Sequence, residues 1–175
     1  MRNTAIAAAI VSVAMAQTAK AESELYLNGG TAVYDADNTT LTAFTVRGGI
    51  DFHDVLSAEF EAAFGLGAEE LDSGAELELE NQFGGYLVGR YPVGPRVDVL
   101  GRIGYTTGEF QSSNNGVSRD VDADGFAVGL GGEFMFTSQF GVRGDYTRIQ
   151  VGDDQLDGGV NVFSLTGVYK FGSVR

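Results

Sequence analysis

The stretch Leu56-Ser57-Ala58-Glu59-Phe60-Glu61-Ala62-Ala63-Phe64-Gly65-Leu66 decides the fold class. Its even-numbered positions are all apolar, and its odd-numbered positions carry acidic or small side chains. Successive side chains of a β-strand point to opposite faces, so this period of two predicts a strand with one apolar face. No stretch after residue 21 keeps apolar residues at helical spacing for three turns. The chain after that point is therefore predicted to be all-β.

The same alternation recurs in eight segments, and most of them exceed the length of a typical soluble strand. A tilted strand that crosses a bilayer needs about 9 to 11 residues, which most of these segments provide. The predicted strands are residues 24–34, 41–52, 55–67, 75–91, 96–110, 124–136, 140–151 and 159–171.

The connections between these segments alternate in length. The tight ones are His53-Asp54, Pro92 to Pro95 and Thr137 to Gln139, whereas the polar connections at 35–40, 68–74, 111–123 and 152–158 are longer. Short turns at one end and long loops at the other are typical of membrane barrels. The prediction is an eight-stranded antiparallel up-and-down transmembrane β-barrel.

The first 21 residues are predicted to be a cleaved signal peptide. Arg2 provides a positive start, Ala5 to Ala16 is a largely apolar stretch, and Ala19-Lys20-Ala21 offers small residues at a cleavage site. Ala14-Met15-Ala16 is a second possible cleavage point. An uncleaved membrane helix is the alternative, but it requires about 20 apolar residues. Residues 22–175 are then expected to form one barrel domain.

The composition excludes several classes of function. Loss of Arg2 and Lys20 with the leader leaves nine basic residues against 24 acidic ones, a net charge of −15. Binding to nucleic acid requires a clustered basic surface, which this chain lacks. The absence of cysteine excludes disulfides, thiolate metal sites and cysteine nucleophiles.

Aromatic residues are predicted to form two girdles where the barrel meets the membrane interfaces. One group lies beside the tight turns and the last strand, and the other lies toward the long loops. The first group is Phe52, Tyr91, Phe136, Phe140 and Phe171, and the second is Phe44, Phe64, Tyr105 and Phe126. Packing of this aromatic face into an interior core is the alternative.

If the apolar face meets lipid, the opposite face brings charged side chains into the interior. An eight-stranded barrel is only wide enough for side chains to fill it, so these charges are expected to form an ion-pair network. A gated ion or proton path is the alternative. The predicted network is Arg47, Glu59, Glu61, Arg90, Arg102, Glu133, Arg143 and Asp145.

The segments 131–136 and 141–146 resemble the sixth and seventh strands of the OmpA-like and OmpX-like small outer-membrane barrels. There an interior Glu, here Glu133, precedes an interior Arg and a further acid, here Arg143 and Asp145. The resemblance extends over nearly all of 22–171. It implies a bacterial outer-membrane location, contact with membrane lipid and lipopolysaccharide, and assembly by the barrel-insertion machinery as a monomer.

Two departures from this family are expected to matter. Its members usually end on an aromatic residue, whereas Phe171 is followed here by Gly172-Ser173-Val174-Arg175. Either assembly tolerates this tail or the last strand shifts. The chain also lacks the peptidoglycan-binding domain of some relatives, so a cell-wall tether is not expected.

Candidate catalytic and metal-binding residues are few. The single histidine, His53, lies with Asp54 in a predicted turn, and a serine hydrolase would require it beside a serine. No enzyme activity and no cofactor are expected. Asp120, Asp122 and Asp124, followed by Gly125, match the start of a calcium loop, but position twelve of that loop is Gly131 and not Glu. A solvated acidic loop is the alternative.

Four functions remain open at this point. The first is a non-enzymatic outer-membrane barrel that serves envelope integrity or surface contact through acidic loops. The second is a soluble exported barrel that carries a lipid-like ligand, which requires the faces to be inverted. A narrow ion channel or porin is the third, and a membrane-embedded lipid-modifying enzyme is the fourth.

Overall fold

A computed structural model describes residues 24–36, 39–70, 76–114, 117–151 and 159–171. The predicted signal peptide lies outside these residues, as does the tail after Phe171. The described residues form nine β-strands: β1 (Glu24–Ala36), β2 (Thr39–His53), β3 (Leu56–Gly65), β4 (Ala68–Glu70), β5 (Glu76–Gly94), β6 (Val97–Asn114), β7 (Val117–Met135), β8 (Phe140–Val151) and β9 (Gly159–Lys170). No helix in these ranges is long and apolar enough to cross a membrane.

The strands form one closed antiparallel barrel. Each long strand pairs with the next along the chain, β9 pairs with β1, and β3 pairs directly with β5. The three-residue β4 pairs only with β5, so eight strands close the barrel. Closure leaves the eight strands without an open edge, which satisfies the backbone within a bilayer. The predicted eight-stranded antiparallel up-and-down barrel is confirmed.

Several strands are longer than predicted at the end that carries the long connections. β6 continues to Asn114 and β7 begins at Val117, so most of the predicted loop 111–123 is paired strand. β1 and β2 likewise extend into the predicted loop 35–40. Backbone pairing across β6 and β7 continues through polar residues, which an apolar alternation pattern does not detect.

The turns at the opposite end also differ slightly from the prediction. The first turn is at Asp54 and Val55, because His53 still belongs to β2. Pro92 lies within β5 opposite Asp98, next to a register shift between Pro92 and Gly94. Proline lacks a donor for the sheet, and strand ends and bulges are where a sheet accommodates it. The predicted turn from Pro92 to Pro95 is therefore shifted to Pro95 and Arg96.

The two faces of the barrel have opposite character. Leu130 and Leu165 are 67% and 65% exposed on the outside, whereas Arg143 is fully buried inside. β2 and β8 alternate between exposed and buried side chains along most of their length. An apolar exterior around a charged interior is the polarity of a membrane barrel. The soluble exported barrel with inverted faces is therefore wrong.

An apolar layer lies inside the barrel toward the long connections. Tyr34 opposes Leu41 at the junction of β1 and β2, and both are at most 4% exposed. Most other members of this buried cluster lie at the same end: Ala32, Ala43, Ala63, Leu79, Ala127, Ile149 and Val162. Tyr86, Val88 and Leu100 also belong to the cluster but lie farther toward the tight turns, with Val88 opposite Arg102 and Leu100 opposite Arg90. Charges therefore fill only part of the interior.

Gly129 shows why a narrow barrel needs glycine on its inner face. A Cβ atom at this position would lie 2.7 Å from the Tyr146 carbonyl oxygen, 2.7 Å from Thr147 Oγ1 and 2.9 Å from Arg102 Cγ. Arg102 reaches the centre of the barrel across this glycine. Gly101, the neighbour of Arg102 on β6, faces outward, and a Cβ atom added there would have nothing within 4 Å.

Gly129→Val is expected to lower the free energy of unfolding by about 1–3 kcal/mol, because the added side chain overpacks the interior against backbone. Gly101→Val is the matched control and should lose no stability, since its side chain enters open space on the lipid side. Urea titration in lipid vesicles, scored by the folded and unfolded gel bands, measures both. Equal stability of the two variants would contradict the assigned inner face.

Candidate functional site

Six charged side chains meet at the centre of the barrel. They are three arginines and three carboxylates from β2, β3, β6 and β8, and each is at most 6% exposed. The members of this central cluster are Arg47, Glu59, Glu61, Arg102, Arg143 and Asp145. Its formal charges sum to zero.

Every member of the central cluster contacts at least two others. Arg47 lies 2.5 Å from Glu61 and 2.6 Å from Asp145. Arg143 lies 2.8 Å from Glu59 and 2.9 Å from Asp145. Arg102 lies 3.2 Å from Glu59 and 3.1 Å from Glu61. These six pairs form a closed ring of alternating charge that links strands from opposite sides of the barrel.

Neutral side chains complete the central cluster. The Tyr26 hydroxyl donates to Glu59 at 3.1 Å, and the Tyr86 hydroxyl donates to Glu61 at 3.2 Å. Arg47 donates to Ser164 Oγ at 2.8 Å. The Arg102 guanidinium lies 3.6 Å from the centre of the Tyr86 ring, within the range of a cation–π interaction. These contacts reduce the cost of burying ionised groups.

Arg90 and Glu133 lie in a second cluster nearer the tight turns. Glu133 lies 2.7 Å from Arg90 and 2.8 Å from Lys170, and Arg90 also lies 3.0 Å from Asp98 and 3.9 Å from Asp51. No ion pair among the described side chains joins this turn-side cluster to the central one. The eight predicted residues are therefore divided between two clusters, six in one and two in the other.

Sequence reasoning missed three members of the turn-side cluster: Asp51, Asp98 and Lys170. Asp51 follows Arg47 by four positions and Asp98 precedes Arg102 by four, so both are in phase with a recognised interior residue. Lys170 is in phase with Ser164 and Thr166 on the polar face of its strand. Extending the period of two to the strand ends would have found them. Ser57 donates a short hydrogen bond to Asp51, which ties that carboxylate to β3.

Some interior polar atoms have no hydrogen-bond partner in the described part of the chain. Both side-chain polar atoms of Asn28 are in this state, although the residue is only 2% exposed, and so is Gln82 Nε2. In the turn-side cluster the same holds for Glu133 Oε2 and Arg90 Nη2. A buried amide normally finds a partner in protein or water. The barrel interior therefore has sites suited to individual water molecules.

All nine predicted girdle aromatics have exposed side chains: Phe44, Phe52, Phe64, Tyr91, Tyr105, Phe126, Phe136, Phe140 and Phe171. Phe44 lies opposite Phe64, and Tyr105 lies opposite Phe126, on neighbouring strands. The alternative of an interior aromatic core is thus wrong for these residues. Their arrangement as two rings at two interfaces stays a prediction.

The calcium-like acidic motif lies on a strand and not in a loop. Asp120, Asp122 and Asp124 lie on β7, paired with Gln111, Glu109 and Thr107 of β6, and do not form the turn of a calcium loop. Among the side chains that the structure describes, no group of three potential ligands suits a metal ion. The side chains of Asp120 and Asp122 are not among the described ones, so metal binding there stays a prediction.

The exposed His53 ring accepts a hydrogen bond from the Val55 backbone at 3.4 Å, which gives it a structural role in the turn.

Comparison with known proteins agrees with this architecture. A family model described as "Outer membrane protein beta-barrel domain" matches residues 4–171. A search of curated proteins finds no match. The chain is similar in structure to Ail, the attachment invasion locus protein of Yersinia pestis, solved with the heparin analogue sucrose octasulfate. The TM-score is 0.65 at 16% identity, over 86% of this chain and 100% of that one.

Two further solved structures are similar. The N-terminal β-barrel domain of Pseudomonas aeruginosa OprF has a TM-score of 0.64 at 11% identity, with 85% of this chain and 97% of that chain covered. Neisserial surface protein A has a TM-score of 0.61 at 12% identity, with the same coverage. At such low identities the likeness concerns the fold alone.

Arg143→Met is expected to destabilise the barrel by about 3–5 kcal/mol, because Glu59 and Asp145 would remain buried with one cation fewer. Arg96→Met is the matched control, since Arg96 is exposed in a turn. Urea unfolding in lipid vesicles measures both variants.

The double variant Arg143→Met with Glu59→Gln tests the pairing itself. Removing both charges should recover part of the stability that Arg143→Met loses, because the interior then no longer carries an excess negative charge. Wild-type stability of Arg143→Met, or strict additivity of the two changes, would remove Arg143 from the cluster.

Proposed function

From the premise that the chain belongs to the outer membrane protein beta-barrel family, we propose that it is a non-enzymatic barrel closed by its own interior. It is an integral β-barrel protein of the bacterial outer membrane. The proposed role is envelope integrity or surface contact, through acidic loops at the cell surface. The protein would act as a monomer that the barrel-insertion machinery assembles.

The observation that carries this proposal is the closed ring of six charges at the barrel centre. An open aqueous pore needs a continuous lumen, whereas Arg47, Arg102 and Arg143 each reach across the interior to carboxylates on other strands. The apolar layer around Tyr34 and Leu41 adds a second obstruction toward the long connections. Both features support a plugged barrel, as expected for eight strands.

The absence of catalysis is supported by the surroundings of the candidate residues. His53 accepts a hydrogen bond from the Val55 backbone at the rim, and no hydrogen bond among the described residues joins it to a serine hydroxyl. The buried carboxylates of the central cluster are all paired with arginine, which leaves them poorly suited to accept a substrate proton. A structural role explains both sets of residues.

The net charge of this chain disfavours a polyanionic surface ligand. Ail was solved with a heparin analogue, which is a polyanion. A mature chain with 24 acidic and nine basic residues repels polyanions at long range. Its acidic loops would instead attract cationic partners or divalent ions that bridge to anionic lipopolysaccharide.

A narrow channel is the second candidate. It is favoured by buried polar atoms that have no partner among the described residues, notably both side-chain polar atoms of Asn28 and Gln82 Nε2, because water molecules at such sites could form a continuous file. The turn-side cluster has three carboxylates and two cations, so its excess negative charge would favour cations. The central ring still interrupts this path.

Conductance in planar lipid bilayers distinguishes the two functions. The plugged barrel is expected to show no steady current after insertion, since the central ring and the apolar layer block the lumen. Insertion is verified separately by the shift of the folded gel band on boiling. A reproducible current that Arg102→Ala or Glu133→Gln alters would overturn the plug and favour the channel.

A further inference from the structure

The outward face of β8 changes from apolar to polar near the long connections. Phe140, Val142 and Tyr146 are exposed apolar or aromatic side chains, and Arg148 and Gln150 follow them on the same face. Tyr146 packs against Phe163 of β9, with ring centres 5.0 Å apart. Aromatic side chains on the outer surface concentrate where hydrocarbon meets headgroups. Arg148 thus lies on the outward surface of the barrel, one step beyond the exposed aromatic pair Tyr146 and Phe163 toward the long connections.

The guanidinium of Arg148 is held in place by its neighbours. Its Nη1 donates to Asn161 Oδ1 at 2.8 Å, and the Tyr146 hydroxyl donates to the same oxygen at 2.9 Å. The guanidinium also lies directly over Gly159, where any side chain would collide with it. An arginine that is fixed before binding loses less side-chain entropy when it binds a ligand.

The charge of Arg148 is not neutralised by the side chains described around it. None of the ion pairs between described residues involves Arg148, in contrast to Arg47, Arg90, Arg102 and Arg143. The Arg148 guanidinium has five N–H donors, and one of them is used in the hydrogen bond to Asn161. The remaining donors form the planar fork that matches a phosphate group.

We propose that Arg148, positioned by Asn161, Tyr146 and Gly159, binds the phosphate group of an outer-leaflet lipid. The phosphate would accept two parallel N–H bonds from the guanidinium, while the acyl chains of the lipid lie along the apolar face formed by Tyr146, Phe163 and Leu165. The inference depends on the outer-membrane location and not on whether the barrel conducts.

A membrane lipid fits this site better than a phosphate ion from solution. The chain has 24 acidic residues against 11 basic ones, so a free anion approaches against a repulsive field. A lipid phosphate is already held at headgroup depth by its acyl chains. The apolar surface directly beside the cation also matches a ligand that is half lipid and half phosphate.

Native mass spectrometry of the full barrel in detergent tests this site, with diphosphorylated lipid A and its dephosphorylated form as probes. Wild type should retain the diphosphorylated probe more strongly. Arg148→Gln should weaken that retention roughly tenfold, which corresponds to about 1.4 kcal/mol, and should leave the dephosphorylated probe unchanged. Arg96→Gln, at the opposite rim, is the control and should bind as wild type does.

Two further measurements separate loss of the site from loss of folding, and a lipid ligand from free phosphate. Asn161→Ala removes only the positioning contact and should give an intermediate loss, and it replaces Arg148→Gln if that variant fails to show a folded, heat-shifted band. Millimolar inorganic phosphate should not displace the lipid. Equal retention by wild type and both variants would overturn the site, and displacement by phosphate alone would overturn the lipid as its ligand.

Discussion

The structure depends on arginine and carboxylate side chains that neutralise one another inside the barrel. The interior is wide enough only for side chains to fill it. Three arginines and three carboxylates alternate around the centre, and each arginine reaches carboxylates on other strands. Removing one partner leaves an excess charge in a region of low dielectric. The resulting loss of folding free energy is far larger than the contribution of a surface ion pair. Backbone pairing between strands closes the barrel, and the ring of ion pairs connects strands on its opposite sides.

The buried charges limit which residues can occupy the neighbouring inner and outer positions of the barrel. Large side chains inside require small residues beside them, as Gly129 beside Arg102 illustrates. Because the interior holds the charges, the exterior is left for leucine, valine and phenylalanine, which lipid solvates. Polar side chains are exposed at both rims, where His53 and Arg148 lie at opposite ends. The membrane location follows from this arrangement of side chains, and the same arrangement supports the proposed closed lumen.

A period of two in the sequence was enough to predict the fold and the inward direction of Arg47, Glu59 and Arg143, because strand geometry alone fixes which face a residue occupies. It was not enough to divide the charges into two clusters, since that division depends on register across strands that are distant in sequence. Arg90 pairs with Glu133, 43 positions away. The extension of β6 and β7 through 111–123 was also missed, because polar strands have no apolar alternation.

The central claim is that the inner face is closed to lipid and to bulk water. The chain contains no cysteine, so single cysteines at successive positions of β9 can report on it directly. In lipid vesicles, Phe163→Cys and Leu165→Cys should respond to a lipid-phase quencher once labelled. Ser164→Cys and Thr166→Cys should react with neither lipid-phase nor water-soluble thiol reagents. Rapid reaction of the inner positions with a water-soluble reagent would contradict a plugged barrel and indicate an open lumen.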